Sequence, residues 1–455
     1  MKKTVLFLLI PLFILTGCTI EDRRNDTENA FIVKDVEGGV CISRVRGGNE
    51  ILYIPDKIGG KKVVEIADNV MSNMRRLKKI VICGDGIRKI GDGAFAGNKD
   101  LETVEGLNNL EYIGQYAFAE CVSLKEISLN GSFTSIEKGT FTGCVSLEEV
   151  ILPSGVRTIE DCSFEGCTSL ISVTGAENIV SIGEYAFASC GRLSSIDAEN
   201  AECEYDAFKN SPAGDVFDIP ERPDTIFDGE NVLTTVFFDD FDKDDIDLTK
   251  WSRCPEWPRQ LGVWSDENSF TDKNGNLILL VDEASDGTLR SGAIRTAGKY
   301  SQSGGRFEAR CKLGDTPGFW GAFWLMPENG LPDENNGSSA DGCEVDIFES
   351  PYLSSSSVNY AVHWDGYGEN HKSIGMAPSV PYLYYGYHTF TLDWTKTEYI
   401  FYIDGIEYWR TSAAGIQEGA SYMKLTVEIG TWAGQPVKSE WPTAGLTVDY
   451  VKTWQ

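Results

Sequence analysis

Apolar residues follow two different rhythms along this chain, and the change falls near residue 230. In the first half an isoleucine is followed five residues later by a phenylalanine. After three more residues comes an asparagine or cysteine, and after another three a leucine. The isoleucines are Ile90, Ile113, Ile136, Ile159 and Ile182, and the phenylalanines are Phe95, Phe118, Phe141, Phe164 and Phe187. Asn98, Cys121, Cys144, Cys167 and Cys190 stand at the third position, and Leu101, Leu124, Leu147, Leu170 and Leu193 at the fourth. A degenerate earlier copy uses Ile66, Met71, Met74 and Leu77. A fixed step of 23 residues is too short to bury an apolar face alone, so the copies must stack into a solenoid with one continuous core. The Asn-or-Cys position predicts an internal ladder, where a small polar or thiol group meets backbone at a turn.

Beyond residue 232 the period shortens to two. NLILLVD, GRFEARCKL, WGAFWLMP, EVDIFE, VNYAVHW, HTFTLDW, YIFYIDG and KLTVEIGTW alternate apolar and polar positions between Gly, Asn, Asp and Pro. All eleven tryptophans lie past residue 250. Many short strands with almost no helical period predict an all-β sandwich over 233–455. The Pro-, Gly- and Asp-rich stretch 213–232 reads as the linker between the halves.

Within that second half, Glu344-Val345-Asp346-Ile347-Phe348-Glu349 sets three acids among apolar residues. On a strand Glu344 and Asp346 share a face while Val345 and Ile347 point to the core. Glu349 has the wrong parity, and a β-bulge near Ile347-Phe348 returns it to the acidic face. Like charges so placed separate their pKa values, which yields a proton donor beside an ionised nucleophile. Trp320 and Trp324 share one face and read as a platform for sugar rings, with core filling as the alternative. Glu428 and Trp432 share a face with Gly430, and His363 shares the parity of Asn359 and Ala361, beside the acids. Trp364 at its strand's end and Trp257 on a loop are further cleft candidates.

The repeats, over 35–212, resemble leucine-rich repeats of the BspA-like surface-protein type. EVDIFE resembles the E-x-D-x-x-E signature of glycoside hydrolase family 16, and FFDDFD, SGAIRT, GGRFEARCKLGDTPGFWGAFWLMP and VDYVKTW flank it in order. HWDGYGENHKS is similar to the bacterial endo-β-1,3- and mixed-linkage β-glucanases of that family. The resemblance implies a jelly-roll, concanavalin-like sandwich and a retaining endo-acting hydrolase of β-linked polysaccharide. Glu344 would be its nucleophile, Asp346 the electrostatic helper and Glu349 the acid/base. No cofactor is required; a structural Ca²⁺ is implied at Asp240, the Gly275 carbonyl and Asp449. Thr426 stands where many laminarinases carry an Asn, which leaves the glycan open. The alternatives are a β-galactanase acting on agar, porphyran or carrageenan, and a glycan-binding adhesin in which hydrolysis is secondary.

Charge narrows the partners. A formal net charge of −29 repels nucleic acid and anionic lipid, and disfavours sulfated or uronic glycans unless basic residues cluster locally. Arg290, Arg295 and Lys372 are the visible candidates for such a cluster. Lys2 and Lys3 precede the apolar run Val5–Leu15, and Leu15-Thr16-Gly17-Cys18 resembles the lipobox of bacterial lipoproteins. That implies a signal peptide over 1–17, lipidation at Cys18, a tether over 18–34 and a place on the outer surface of the cell envelope. For the repeat half, binding a protein or glycan partner and serving as a spacer remain equal expectations.

Overall fold

A computed structural model describes residues 28–198, 200–229, 231–254, 258–332, 336–351, 356–436, 438, 441 and 443–455. Cys18, the signal segment and Trp257 lie outside the described residues. The end of the expected tether is part of a sheet, because Phe31–Val36 pairs antiparallel with Gly39–Val45.

The repeat half is the solenoid that its period demands. Short parallel strands stack one repeat apart, so that Val104, Ile127, Val150, Val173 and Ile196 follow each other in register. Behind them the phenylalanines form a stack, with ring centroids 5.2 Å apart for Phe95–Phe118 and 5.5 Å for Phe118–Phe141. The ladder is present as well. Cys121 Sγ contacts the Phe95 carbonyl at 3.3 Å, and Cys144 reaches Phe118, Cys167 reaches Phe141 and Cys190 reaches Phe164 in the same way. Asn98 opens the ladder by donating to the Met71 and Phe95 carbonyls at 2.8 and 2.7 Å. Each ladder thiol thus adds a second donor to a buried turn carbonyl, since Phe118, Phe141 and Phe164 already accept the backbone N–H of Cys121, Cys144 and Cys167.

In the second half two sheets enclose one core. Among the described residues the first sheet has twelve strands, with Thr443–Trp454 pairing three neighbours at its centre. The second has seven strands. Its order is Ser252–Arg253, Ala293–Arg295, Ser421–Ile429, Phe319–Pro327, Glu344–Pro351, Asn359–Trp364 and Lys372–Met376. Phe307, Phe323, Val345, Phe348, Phe390, Leu425 and Leu446 fill the space between the sheets.

The solenoid packs against the outer face of the twelve-stranded sheet. Arg310 reaches Glu165 at 2.8 Å and Asp449 at 3.0 Å; Lys312 reaches Glu120, and Lys138 reaches Asp404. Tyr116 stacks on Tyr382 with centroids 5.1 Å apart. The stretch 213–232 runs along this junction: Phe217 extends the phenylalanine stack and Thr225–Phe227 pairs with Val232–Asp239. With its back covered in this way, the sandwich keeps the outer face of the seven-stranded sheet for chemistry.

Candidate active site

Three cross-strand rows build the site. Asp346 stands opposite Trp324 on one side and Ala361 on the other, Glu349 opposite Ala322 and Asn359, and Glu344 opposite His363. Directly opposed residues of an antiparallel pair point to the same face, so all three acids lie on the face away from the core. The register slips between Asp346 and Glu349, where three residues face two on the neighbouring strand. Ile347 and Phe348 are both buried at this bulge. Two consecutive side chains therefore enter the core, and Glu349 emerges beside its fellow acids.

Each acid has its own partners. Tyr367 donates its hydroxyl to Glu344 Oε2. Trp320 Nε1 donates to Glu349 at 3.1 Å, and Asn359 Nδ2 donates to its other oxygen at 3.0 Å. His363 Nε2 lies 3.1 Å from Asp346 Oδ2, in charge contact rather than in hydrogen-bond alignment. The second nitrogen of that ring meets His371 Nε2 at 2.9 Å. Burial, and then the charge of Asp346, pushes the Glu344 carboxyl up to about 8, against the pull of Tyr367, His363 and Lys424. Burial and Glu349 raise Asp346, and burial raises Glu349 despite its two donors. The cluster therefore retains protons at neutral pH that free carboxylates would have lost.

Several expected residues take other parts. Trp320 and Trp324 are on the site face but only 5% and 7% exposed. Trp320 holds Glu349, and Trp324 donates to Thr426 Oγ1 at 3.0 Å while Lys424 covers its ring. Trp432 is 40% exposed and meets Trp320 edge-on, 5.0 Å between centroids, so it is the aromatic surface open to a ring. Glu428 shares the face and accepts from Arg259 at 2.9 Å. Trp364 belongs to the sandwich core, because the alternation that turns His363 outward turns its neighbour inward. The Ca²⁺ place does not fit a dication: Lys209 and Arg310 already hold the Asp449 carboxylate at 2.6 and 3.0 Å. Lys209 also acts on Asp240, and the Asn274 carbonyl beside Gly275 accepts from Asn210.

Tyr367, His371, Arg259 and Lys424 went unread in the sequence. Lys424 could have been found from parity, since it alternates with Thr426 and Glu428. The other three arrive from loops or from a distant edge strand; Tyr367 and His371 lie within the quoted stretch HWDGYGENHKS, whereas no local pattern marks Arg259.

Residues 259–452 match the family model described as Glycosyl hydrolases family 16, and residues 57–145 and 88–214 match that of the BspA type leucine rich repeat region. The chain is 26% identical over 198 residues to the endo-1,3-1,4-beta-glycanase ExsH of Rhizobium meliloti, covering 41% of this chain and 40% of the relative. It is 30% identical over 164 residues to the endo-1,3-1,4-beta-glycanase EglC of the same organism, covering 36% and 33%. With the keratan-sulfate endo-1,4-beta-galactosidase of Sphingobacterium multivorum the identity is 26% over 227 residues, covering 46% and 52%. The chain thus spans about a third to a half of the length of these relatives.

Proposed function

We propose that this chain, which joins a BspA type leucine rich repeat region to a glycosyl hydrolase family 16 domain, hydrolyses β-glucan internally with retention of configuration. The substrate is a β-1,3 or mixed β-1,3/1,4 chain, in keeping with two relatives named endo-1,3-1,4-beta-glycanase. The observation that carries the reading is the bulge that brings Glu349 to the face of Glu344 and Asp346.

In the first step an oxygen of Glu344 in its ionised form, the minor form at neutral pH because its carboxyl is raised to about 8, attacks the anomeric carbon. The glycosidic C–O bond breaks, and Glu349 gives its proton to the departing oxygen. Tyr367 holds Oε2, so Oε1 is the attacking atom. In the second step Glu349 takes a proton from water, whose oxygen displaces Glu344 from the anomeric carbon. Asp346 sits between the two and shifts their protonation through its charge. Trp432 offers its exposed face to a sugar ring.

The enzyme works at the cell envelope, tethered through lipid on Cys18. The lipobox-like run supports that location, and Cys18→Ser should abolish detergent partitioning of the full chain.

Reducing-sugar release from laminarin and lichenan tests the activity. Glu344→Gln and Glu349→Gln should each retain less than about a hundredth of it. NMR of the fresh hydrolysate should show the β-anomer first; an initial α-anomer would overturn the nucleophile assignment.

A further inference from the structure

Most positive charges in the sandwich half are engaged. Arg259 faces Glu428, Arg290 faces Asp282, Arg306 faces Asp393, Lys312 faces Glu120 and Lys372 faces Asp365. Lys424 breaks the rule. It is 7% exposed, yet among the described residues its ammonium has no carboxylate within ion-pair distance and no hydrogen-bond acceptor, and only the more distant charges of Glu344, Asp346 and Glu428 act on it. Two indole faces are its neighbours, with Trp324 3.6 Å and Trp264 4.8 Å from Nζ to ring centroid. Aromatic faces offset only part of what an ammonium loses on leaving water.

Its position gives that deficit a direction. Lys424 lies directly across from Trp324, which lies across from Asp346, so it shares a row with that acid. Its other neighbour in the row is Arg295, whose Nε is buried without a partner. Two cations thus lie side by side on the site face of a chain whose net charge is −29. The other two basic residues singled out in the sequence, Arg290 and Lys372, are held by acids.

We propose that Lys424 and Arg295 form a subsite for an anionic oxygen substituent on the glycan, a carboxylate or a sulfate ester, one sugar away from the bond that is cut. The proposal rests on the β-glucan reading above and deepens it: the preferred substrate carries negative charge on the glucan. Such a substituent supplies the acceptor that Lys424 lacks, and Trp264 and Trp324 exclude water from the pair. Burial lowers the Lys424 ammonium to about 8, so the preference should fade above that pH as the charge is lost.

The test uses the full chain and one β-glucan in three forms: unmodified, oxidised to a carboxylate at C6, and sulfated. Wild type should show a kcat/KM at least tenfold higher on one charged form than on the unmodified glucan. Which charged form gains distinguishes a uronate-type from a sulfate-type substrate. In Lys424→Met that ratio should fall at least tenfold, and Arg295→Gln should lower it in the same direction. Equal losses on charged and unmodified glucan, or a wild type that rejects both charged forms, would overturn the subsite. Calorimetry of Glu344→Gln with a carboxylated gluco-oligosaccharide separates this from the hydrolysis reading. Binding that needs Lys424, in a chain that cuts no glucan, would sink the activity and keep the subsite. No binding with intact hydrolysis of plain glucan would do the reverse.

Discussion

At the scale of single residues, the site keeps a carboxyl where the fold alone would prefer an amide. The folded chain raises Glu344 from its ordinary 4.5 to about 8, so native protein holds a proton that the unfolded chain releases first. Stability from this group is therefore fully present below pH 4.5 and declines as pH rises toward 8. Glu344→Gln removes the ionisation, so its melting temperature should exceed that of wild type by several degrees at pH 8 and by nothing at pH 4. Thermal melts across that range check the sign; a variant less stable than wild type at pH 8 would contradict it. Tyr367 acts in the opposite direction, because its hydroxyl favours the charged form of Glu344. In Tyr367→Phe the acid limb of the kcat/KM profile should move to higher pH. A rise of one pKa unit from about 8 should cut activity about tenfold at pH 6 and still about fivefold at pH 8, the loss vanishing only above about pH 10.

Strands and repeats carry the next level, and here most of the architecture was legible. The 23-residue step names its own stacking partner, so the phenylalanine stack and the cysteine ladder follow from arithmetic. Cys144→Ala should remove the second donor to the Phe118 carbonyl, which keeps the Cys121 backbone N–H at 3.2 Å, at a cost of about 1 kcal/mol or less. Cys144→Asn should recover part of it, as Asn98 performs the same task two repeats earlier; denaturant melts compare the two. The bulge was legible because Glu349 has the wrong parity for a regular strand. Deleting Ile347 should remove the bulge and leave Glu344, Asp346 and Glu349 on one face by strict alternation. Part of the activity should then survive, whereas Glu349→Gln abolishes it; a folded deletion variant as inactive as Glu349→Gln would contradict the parity argument. What alternation cannot reveal is which residues of other strands stand opposite. Lys424 and Arg295 meet only because a strand at residue 293 pairs with one at residue 421. Trp364 departs for a simpler reason: its place at the strand's end suggests the cleft, whereas its parity with Tyr360 and Val362 turns it into the core.

The whole molecule shows why the repeat half cannot be read as a loose spacer. Arg310 lies inside the junction, 3% exposed, with Glu165 of the solenoid on one side and Asp449 of the sandwich on the other. Tyr185 and Tyr387 cover its guanidinium, at 3.5 and 4.8 Å from Cζ to ring centroid. Lys209, also from the repeats, completes the charge balance around Asp449. Contacts of this kind join residues 145 and 240 positions apart in the chain, so no local pattern could have announced them. Removing one partner of a buried ion pair leaves the other charged and dry, which costs about 3–5 kcal/mol. Arg310→Met should therefore unfold at markedly lower denaturant, and its melt should separate into two transitions where wild type shows one. Because the pair is buried, 1 M salt should not mimic the effect, whereas surface pairs such as Lys99–Asp315 would be screened. Adding Glu165→Gln to Arg310→Met should recover part of the loss, since the stranded carboxylate is then gone. If Arg310→Met instead melts in a single transition within about 1 kcal/mol of wild type, the ion pair is not what couples the halves. The stacked Tyr116 and Tyr382 would then have to carry that coupling.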